Sequence, residues 1–279
     1  MEKGVRQLFD LSGRVAVITG GAGMLGLKHA EAIAEMGGIP VLFDMHADAC
    51  KRGEAHLRKL YGGEAHSAQV DITDKTQVQS AIGGVMSRLG RIDILINNAA
   101  LTVKGGGGAF QDYFAPFGEY PQELFDLALR VNLTGAFLVT QAAGHVMAEQ
   151  RRGVIVNISS DVALISPDHR IYQGMTSGYE GRPFNTPIAY SMSKAALLAF
   201  TRYLATLWAD KGVRVNALSP GGVYDNHEPE FVQRLANLIP MGRMASKDEY
   251  KGAILFLCSD ASAFMTGANL VVDGGRTSW

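Results

Sequence analysis

Short apolar runs rich in β-branched residues recur along this chain, and a stretch with helical periodicity follows each of them. The first run, Arg14 to Thr19, ends at Gly20, and the segment from Leu25 to Met36 then repeats its apolar residues with the period of a helix. The other predicted strands are Ile39–Phe43, Ala65–Val70, Ile92–Asn97, Val154–Ser159, Val213–Leu218 and Asn269–Val272. Strands that are apolar throughout need cover on both faces. The alternation therefore predicts an α/β fold: a doubly wound parallel sheet of about seven strands with helices on both faces.

Composition adds few constraints beyond this pattern. The 279 residues contain no linker-like stretch or charge run, so residues 1–279 are predicted to form a single domain. A net charge of −1 gives no reason to expect a nucleic-acid partner. Cys50 and Cys258 show no pairing pattern, and no Cys/His cluster has metal-ligand spacing, so we expect no metal. No run is long enough to cross a bilayer, and we expect no membrane partner and a cytoplasmic location.

A glycine-rich turn, Thr19-Gly20-Gly21-Ala22-Gly23-Met24-Leu25-Gly26, joins the first strand to the first helix. Glycines there let backbone N–H groups and the helix N-terminus approach a pyrophosphate. Asp44 closes the second strand, 18 residues after Gly26, where a carboxylate can accept hydrogen bonds from both hydroxyls of an adenosine ribose. It would repel a 2′-phosphate, and no Arg or Lys nearby offsets that repulsion, so these residues favour NAD over NADP. The alternative is that Asp44 is an ordinary turn residue.

A Tyr-x-x-x-Lys pattern, Tyr190 to Lys194, opens a predicted helix that runs to Asp210. Residues four apart lie on one face of a helix, so the two side chains are neighbours. An ammonium beside a phenol lowers the phenol pKa from its usual value of about 10, which would suit the pair to moving a proton. The alternative is a solvated helix face that carries both residues by chance.

With these two features and several further motifs, the chain resembles the short-chain dehydrogenase/reductase family over nearly its whole length. The further motifs are Val70-Asp71-Ile72, Asn97-Asn98-Ala99-Ala100, Val131-Asn132, Asn157-Ile158-Ser159-Ser160, Ser219-Pro220-Gly221 and Val272-Asp273-Gly274-Gly275. The resemblance implies a Rossmann fold. One departure is visible: the family usually reads Thr-Gly-x-x-x-Gly-x-Gly, and Met24 stands at the second glycine, directly after Gly23. We expect an altered turn that still binds phosphate.

The resemblance also implies roles for individual residues. The expected cofactor is NAD, and the positions expected to bind it are Gly20, Gly23, Met24, Leu25, Gly26, Asp44, Asp71, Ile72, Asn98, Tyr190, Lys194, Gly221 and Val223. The side chain of Asp71 and the backbone of Ile72 would hold the adenine, and Asn98 would contact the nicotinamide ribose. The family often has Thr where Asp225 stands, so carboxamide binding would depend more on the backbone of Val223.

The catalytic residues implied by the resemblance are Asn132, Ser160, Tyr190 and Lys194. Asn132 would bend the helical run Glu123 to Met147 and hold a water in a proton relay. Ser160 would polarise the carbonyl, with Ser159 as the alternative. Tyr190 would transfer the proton, and Lys194 would lower its pKa and hold the nicotinamide ribose.

These assignments predict an NAD-dependent oxidoreductase that interconverts a secondary alcohol and a ketone. A non-catalytic dinucleotide-binding sensor or scaffold is one alternative, although a sensor has no need of all four catalytic positions. A reductase of an apolar ketone or a 3-oxoacyl substrate is another. An epimerase or dehydratase with tightly held NAD is a third, although such relatives usually carry a larger C-terminal substrate domain.

Two irregular stretches are predicted to border the substrate. Residues 161–189 form a long loop that holds many polar groups: Asp161, Asp168, His169, Arg170, Tyr172, Tyr179, Glu180, Arg182 and Asn185. The other stretch comprises Gly105 to Gly108 and the aromatic residues Phe110, Tyr113, Phe114 and Phe117. The polar loop suits a small polyhydroxylated substrate, with Arg170 or Arg182 as partners for a phosphate or carboxylate; solvated surface residues are the alternative. The C-terminal motif through Trp279 and Tyr179-Glu180-Gly181 resemble family members that act on sugars.

Self-association is the remaining expectation. The helices from Glu123 to Met147 and from Tyr190 to Asp210 carry more apolar residues than one face requires. The family resemblance implies that they pair across a subunit interface, in a homotetramer or homodimer.

Overall fold

The computed structural model describes residues 4–101, 112–174 and 185–279. Its single sheet has seven parallel strands in the order β3-β2-β1-β4-β5-β6-β7. The strands are β1 Val15–Thr19, β2 Ile39–Asp44, β3 His66–Gln69, β4 Ile94–Asn97, β5 Gly153–Ile158, β6 Val213–Pro220 and β7 Asn269–Val272. The doubly wound parallel sheet is confirmed, and every predicted strand is present with its ends within two residues of those expected.

Helices cover both faces of this sheet. They are α1 Val5–Leu8, α2 Met24–Glu35, α3 Ala47–Tyr61, α4 Lys75–Leu89, α5 Gln122–Leu129, α6 Ala136–Gln150, α7 Ile188–Leu207, α8 Pro229–Ala236 and α9 Lys251–Cys258. Alternate residues of β1 enter different cores: Ala16 and Ile18 pack with α2 and α9, whereas Val15 and Val17 pack with α4, α6 and α7. This alternation is why the strand is apolar throughout.

The strand order reverses between β1 and β4. From β1 the chain adds β2 and β3 on one side and then returns to place β4 on the other side of β1. The loops after β1 and β4 therefore lead away from each other and leave a crevice at the carboxyl ends of the strands. In open α/β sheets this crevice is where ligands bind.

The predicted helix from Glu123 to Met147 is interrupted by a π-helical segment, Arg130–Gly135, between α5 and α6. Asn132 lies inside that segment and is 1% exposed. A π-helical insertion makes the helix bulge and turns side chains away from the regular face. The π-helical interruption therefore lies at the position where a bend at Asn132 is expected.

A ladder of polar side chains crosses the core beside this segment. Asn97 donates from Nδ2 to Thr140 Oγ1 (2.8 Å) and to Asn157 Oδ1 (2.8 Å), and Asn157 donates to Thr201 Oγ1 (2.9 Å). The ladder joins β4 and β5 to α6 and α7 at their buried faces. Because polar groups without partners are costly in a core, it fixes how these helices lie on the sheet.

Within the described ranges, no helix is long and apolar enough to span a bilayer. Both cysteines are free and buried.

His29 lies on the buried face of α2, and neither of its ring nitrogens has a hydrogen-bond partner among the described residues. Burial lowers the pKa of His29 from 6.5 to about 3. Between those values the unfolded chain binds a proton that the folded chain excludes, so stability falls as pH drops from 6.5 towards 3. At pH 4 the expected loss from this residue is about 3 kcal/mol.

The measurement is urea unfolding of the protein and of His29→Leu from pH 7 to pH 4. The stability of His29→Leu relative to the unaltered protein is expected to increase as the pH falls, because the leucine has no proton to exclude. His145→Gln is the matched control, since His145 is exposed on α6. An equal pH dependence in all three proteins would contradict the account of His29.

Candidate active site

The turn after β1 has no room for side chains at its glycines. Gly20 adopts a positive φ of +59°. A Cβ on Gly21 would lie 2.7 Å from the carbonyl oxygen of Ile18, and one on Gly26 would lie 2.1 Å from that of Gly20. The turn therefore packs backbone against backbone. Because its glycines carry no side chains, a bulky phosphate group can approach the backbone closely from the crevice.

Met24 stands where the family usually has its second glycine, and the glycine turn of residues 20–26, a cradle for phosphate, is still formed. Helix α2 begins at Met24, and Gly23 is its N-cap, so no side chain caps the first turn. The first turn also carries no acidic residue. Its N–H groups and the positive end of the helix dipole favour an anion, so the geometry fits a dinucleotide pyrophosphate on this turn.

Asp44 lies beside the same turn. Its Oδ2 accepts a hydrogen bond from the Ala22 N–H (3.3 Å), and its Oδ1 accepts one from the His46 N–H (3.2 Å). The carboxylate thus closes one end of the phosphate cradle, where its remaining lone pairs can accept ribose hydroxyls.

The residues expected to hold the adenine, Asp71 and Ile72, follow β3. Asp71 is exposed, and its Oδ1 accepts from the N–H and the hydroxyl of Thr73 (2.9 and 2.8 Å), while Ile72 is buried. Asn98 donates from Nδ2 to the carbonyl oxygens of Thr19 and Gly20 (3.0 and 3.1 Å). The side chain of Asn98 therefore supports the glycine turn, and its contact with a nicotinamide ribose stays a prediction.

On the nicotinamide side, the backbone after β6 takes a defined course. The Gly221 N–H donates to Val272 O (3.0 Å). Gly222 and Tyr224, the neighbours of Val223, make the hydrogen bonds to Ala245 (both 2.9 Å). Successive peptide groups in an extended chain point in opposite directions, so the N–H and C=O of Val223 point away from Ala245, as carboxamide binding requires.

Ser160 and Tyr190 face each other across the crevice, and their side chains are hydrogen-bonded. Ser160 follows β5 and is 6% exposed, whereas Tyr190 in the first turn of α7 keeps part of its surface accessible. Ser159 points the other way, donating to the carbonyl oxygen of Lys194 (2.8 Å). Of the two serines, only Ser160 is in position to meet a substrate oxygen beside Tyr190.

Lys194 is buried, and its Nζ lies 5.6 Å from the centroid of the Tyr190 ring. The ammonium donates to the carbonyl oxygen of Ile158 (2.7 Å). Burial lowers the pKa of Lys194 to about 8.

The surroundings of Tyr190 raise its pKa, and the expectation that Lys194 lowers this pKa stays a prediction. Burial raises the pKa of Tyr190, the hydrogen bond with Ser160 opposes that rise, and the nearby Asp161 carboxylate adds to it. The physical reason is that desolvation penalises the phenolate, while the lysine ammonium is directed at a backbone carbonyl.

Asn132 connects the π-helical segment to the catalytic helix. Its Oδ1 accepts from the Leu101 N–H (2.6 Å), and its Nδ2 donates to Ser193 Oγ (3.0 Å). Ser193 in turn donates to the carbonyl oxygen of Tyr190 (2.8 Å). Sequence reasoning missed Ser193, whose only signal is its place between the tyrosine and the lysine; the relay water stays a prediction.

A second missed feature is a buried ion pair beside Ser160. Arg276 donates to Asp161 Oδ2 (2.6 Å), and the two side chains are 8% and 4% exposed. In the sequence, Asp161 falls among the polar residues of the loop and Arg276 within the C-terminal motif. Nothing in the sequence links residues that are 115 positions apart.

The described part of the long loop is more ordered than predicted. It forms short 3₁₀ turns at Asp161–Ala163 and His169–Tyr172, and α7 already begins at Ile188. Arg170 is exposed and paired with Asp168 (2.6 Å), and its contact with a substrate stays a prediction. Some of the residues predicted to border the substrate lie outside the described residues: Gly105 to Gly108, Phe110, Tyr179, Glu180, Gly181 and Arg182.

Two aromatic residues of the stretches predicted to border the substrate, Tyr113 and Tyr172, have defined contacts. Tyr113 is buried, donates to Leu101 O (3.0 Å), and interacts electrostatically with Tyr190. Tyr172 stacks on Phe231 of α8 with ring centroids 5.8 Å apart.

Comparison with known proteins assigns this architecture to a family. Residues 14–172 match the family described as short chain dehydrogenase, and residues 172–277 match the one described as enoyl-(acyl carrier protein) reductase. The chain is 35% identical over 274 residues to D-threitol dehydrogenase of Mycolicibacterium smegmatis, covering 96% of this chain and 95% of the relative.

Two solved structures are similar over their full length. NAD⁺-bound xylitol dehydrogenase is 32% identical, with a TM-score of 0.81, and the match covers 95% of this chain and 99% of the other. A gluconate 5-dehydrogenase from Burkholderia cenocepacia, in complex with NADP and tartrate, is 31% identical with a TM-score of 0.85; the match covers 99% and 100% of the two chains.

Proposed function

Because this chain belongs to the short-chain dehydrogenase/reductase family and is an oxidoreductase, we propose that it interconverts a secondary alcohol and a ketone in a polyhydroxylated, sugar-like substrate, with NAD as cofactor. The observation that carries the proposal is one crevice that combines the glycine cradle, the Asp44 carboxylate and the Ser160–Tyr190 pair. A dinucleotide sensor would need the first two of these features and not the third.

The chain's own residues account for the proton chemistry of this reaction. When bound, NAD supplies the acceptor for the hydride that an alcohol loses on oxidation. Tyr190, as the phenolate, takes the proton of the substrate hydroxyl, and Ser160 donates a hydrogen bond to the oxygen as it becomes a carbonyl. Lys194, whose Nζ lies 5.6 Å from the centroid of the Tyr190 ring, stabilises the phenolate as long as its ammonium is charged and is a partner for the ribose hydroxyls.

The choice of NAD is proposed on the basis of Asp44. The family binds dinucleotides, and the two similar structures hold NAD⁺ and NADP respectively. A carboxylate at the end of β2, beside the phosphate cradle, accepts ribose hydroxyls and repels a 2′-phosphate. The residue that follows it is Met45, which is exposed and carries no charge to offset the repulsion.

Replacement of Asp44 by alanine is expected to weaken NAD binding by roughly 10- to 100-fold, since a hydrogen bond to a charged group contributes about 1.5–3 kcal/mol. Asp44→Ala combined with Met45→Arg is expected to prefer NADP. Titration of tryptophan fluorescence with each cofactor measures both effects. Asp48→Ala, which removes an exposed carboxylate in the first turn of α3, is the control. Tighter binding of NADP than NAD by the unaltered protein would refute the role of Asp44.

The substrate class is supported by the relatives and by the site. The similar proteins are named for threitol, xylitol and gluconate. A panel of polyols, sugar acids, nucleotide sugars, steroids and acyl-carrier ketones, followed by NADH absorbance, tests the proposal directly. Turnover is expected among the polyols and sugar acids, and efficient turnover confined to steroids and acyl-carrier ketones would overturn it.

We also propose that the enzyme is a homotetramer or homodimer assembled through α6 and α7. These helices leave large apolar side chains accessible: Phe137, Met192, Tyr203 and Leu207 are 46%, 49%, 66% and 49% exposed. Exposed apolar groups of this size on neighbouring helices are typical of a covered surface. Light scattering is expected to show a dimer or tetramer at micromolar concentration, and Phe137→Glu with Tyr203→Glu is expected to dissociate it. A monomer would contradict the proposal.

A cytoplasmic location is proposed as well. Cys50 and Cys258 are both free thiols. Burial raises the pKa of each thiol, so both stay protonated and inert, as in proteins of a reducing compartment.

A further inference from the structure

The ion pair of Asp161 and Arg276 lies directly behind the catalytic serine. Asp161 is the next residue after Ser160, and its Oδ1 accepts hydrogen bonds from Ser160 Oγ (2.9 Å) and from the Val162 N–H (2.8 Å). Its Oδ2 accepts from Arg276 (2.6 Å). This carboxylate therefore contacts the serine through one oxygen and the C-terminal residue Arg276 through the other.

The turn after β7 is built to deliver Arg276 to this position. Asp273 accepts from the N–H groups of Gly275 and Thr277 (2.9 and 2.8 Å). Gly274 and Gly275 have φ values of +66° and +89°, which other residues rarely adopt. The Asp-Gly-Gly sequence thus reverses the chain and directs the guanidinium inward, where it is buried rather than solvated.

Asp161 holds the serine hydroxyl in place beside Tyr190. The Ser160 hydroxyl donates to Asp161 Oδ1, and the same side chain is hydrogen-bonded to Tyr190. A hydroxyl has one proton to donate, so this proton turns from Asp161 to the substrate oxygen when Ser160 acts on the developing carbonyl. Arg276 holds that carboxylate in one orientation, because the pair is buried and a carboxylate without its partner would be strongly disfavoured there.

We propose that Asp161 and Arg276 are positioning residues for the active site: Asp161 orients the Ser160 hydroxyl, and Arg276 holds Asp161 and balances its charge. The proposal rests on the function proposed above for Ser160 and Tyr190. It makes the C-terminal turn a part of the catalytic apparatus, although that turn lies far along the chain from the catalytic motif.

Loss of Asp161 and loss of Arg276 are expected to shift the pKa of Tyr190 in opposite directions. Among the residues that the structure describes, those facing Tyr190 are Lys194 from its own helix, Ser160 and Asp161 from the loop after β5, and Tyr113 from the segment after β4. Asp161 raises the pKa of Tyr190, and the guanidinium of Arg276 offsets this carboxylate. Loss of the carboxylate should lower the tyrosine pKa, whereas loss of the guanidinium should raise it.

The experiment compares Asp161→Asn, Arg276→Met and the double variant, in which a neutral pair replaces the ionic one. Each single variant is expected to lose kcat by roughly 10- to 100-fold with a smaller change in KM, as expected when a reacting group is misplaced. The alkaline rise of kcat/KM for alcohol oxidation is expected to move to lower pH in Asp161→Asn and to higher pH in Arg276→Met. The double variant is expected to return the rise to near its original pH.

A second measurement does not depend on turnover. Titration of ¹³Cζ-labelled tyrosine by NMR, with Tyr190→Phe to assign the signal, reads the Tyr190 pKa in each variant directly. If Arg276→Met does not fold, the double variant and Arg276→Lys, which keeps the charge, carry the comparison: Arg276→Lys is expected to titrate like the unaltered protein.

Shifts of the same sign in both single variants, or no shift in either, would show that the ion pair only stabilises the fold, and the proposal would be wrong. Failure of the proposed function looks different: the unaltered protein would turn over no alcohol in the substrate panel, while the NMR titration would still report the effect of the pair on Tyr190.

Discussion

The variant Tyr190→Phe is expected to fold, bind NAD and turn over alcohol at least 10²- to 10⁴-fold more slowly than the unaltered enzyme. Phenylalanine keeps the ring that packs in the first turn of α7 and removes the hydroxyl that is hydrogen-bonded to Ser160. Because that hydroxyl is the proposed proton acceptor, the loss should fall on kcat, with little change in the affinity for NAD. Stopped assays by NADH absorbance and a fluorescence titration with NAD separate the two quantities.

Tyr203→Phe is the matched control for this prediction. Tyr203 lies on the same helix and is 66% exposed, so removal of its hydroxyl should leave kcat unchanged. Near-normal turnover in Tyr190→Phe would contradict the catalytic assignment and would favour a different proton acceptor. Loss of NAD binding in that variant would instead mean that the tyrosine serves the cofactor more than the substrate.

The pH dependence of the same assay follows from the burial of Tyr190 and Lys194. Burial raises the pKa of Tyr190 and lowers that of Lys194 to about 8, because each charged form loses water. The rate of oxidation should therefore rise with pH as the phenol ionises. The sequence could not predict this sign, since Tyr190 and Lys194 show their spacing in the sequence but not their burial or the carbonyl of Ile158 that holds the ammonium.

The strands could be predicted because both faces of the sheet are covered. A strand such as β1 sends alternate side chains into two apolar cores, so the sequence shows an unbroken apolar run with a clear beginning and end. The glycine turn and Asp44 could be predicted for a related reason: they sit at fixed positions relative to those ends. Local patterns therefore predicted most of the fold and the position of Asp44 beside the glycine turn, while the binding of NAD there stays a prediction.

The parts that could not be predicted depend on contacts between distant segments. Only the structure distinguishes Ser160 from Ser159. The Ser159 hydroxyl donates to the carbonyl oxygen of Lys194, whereas the Ser160 hydroxyl is hydrogen-bonded to Tyr190. Asp161 was counted as a loop residue, and its partner Arg276 arrives through a turn after the last strand. Arg170 has the charge of a substrate ligand but is satisfied by its neighbour Asp168.

The cofactor cradle gives the second large effect. A Cβ at Gly26 would lie 2.1 Å from the carbonyl oxygen of Gly20 and 2.9 Å from Asn98 Nδ2, which supports the turn. Neither the turn nor the first turn of α2 can yield without moving backbone, so Gly26→Ala is expected to lose about 1–3 kcal/mol or more of stability. It should also lower NAD affinity at least about 100-fold, because the N–H groups that meet the pyrophosphate would move with the backbone.

Gly84→Ala separates this effect from the general cost of adding a methyl group to a helix. Gly84 is exposed in the middle of α4, and a Cβ there would meet nothing within 4 Å. Alanine at that position should stabilise the protein by about 0.5–1 kcal/mol, since glycine loses more backbone entropy on folding. Urea unfolding and NAD titration of both variants give the comparison. If Gly26→Ala binds NAD as tightly as Gly84→Ala, the turn after β1 does not hold the pyrophosphate, and the cofactor must lie elsewhere in the crevice.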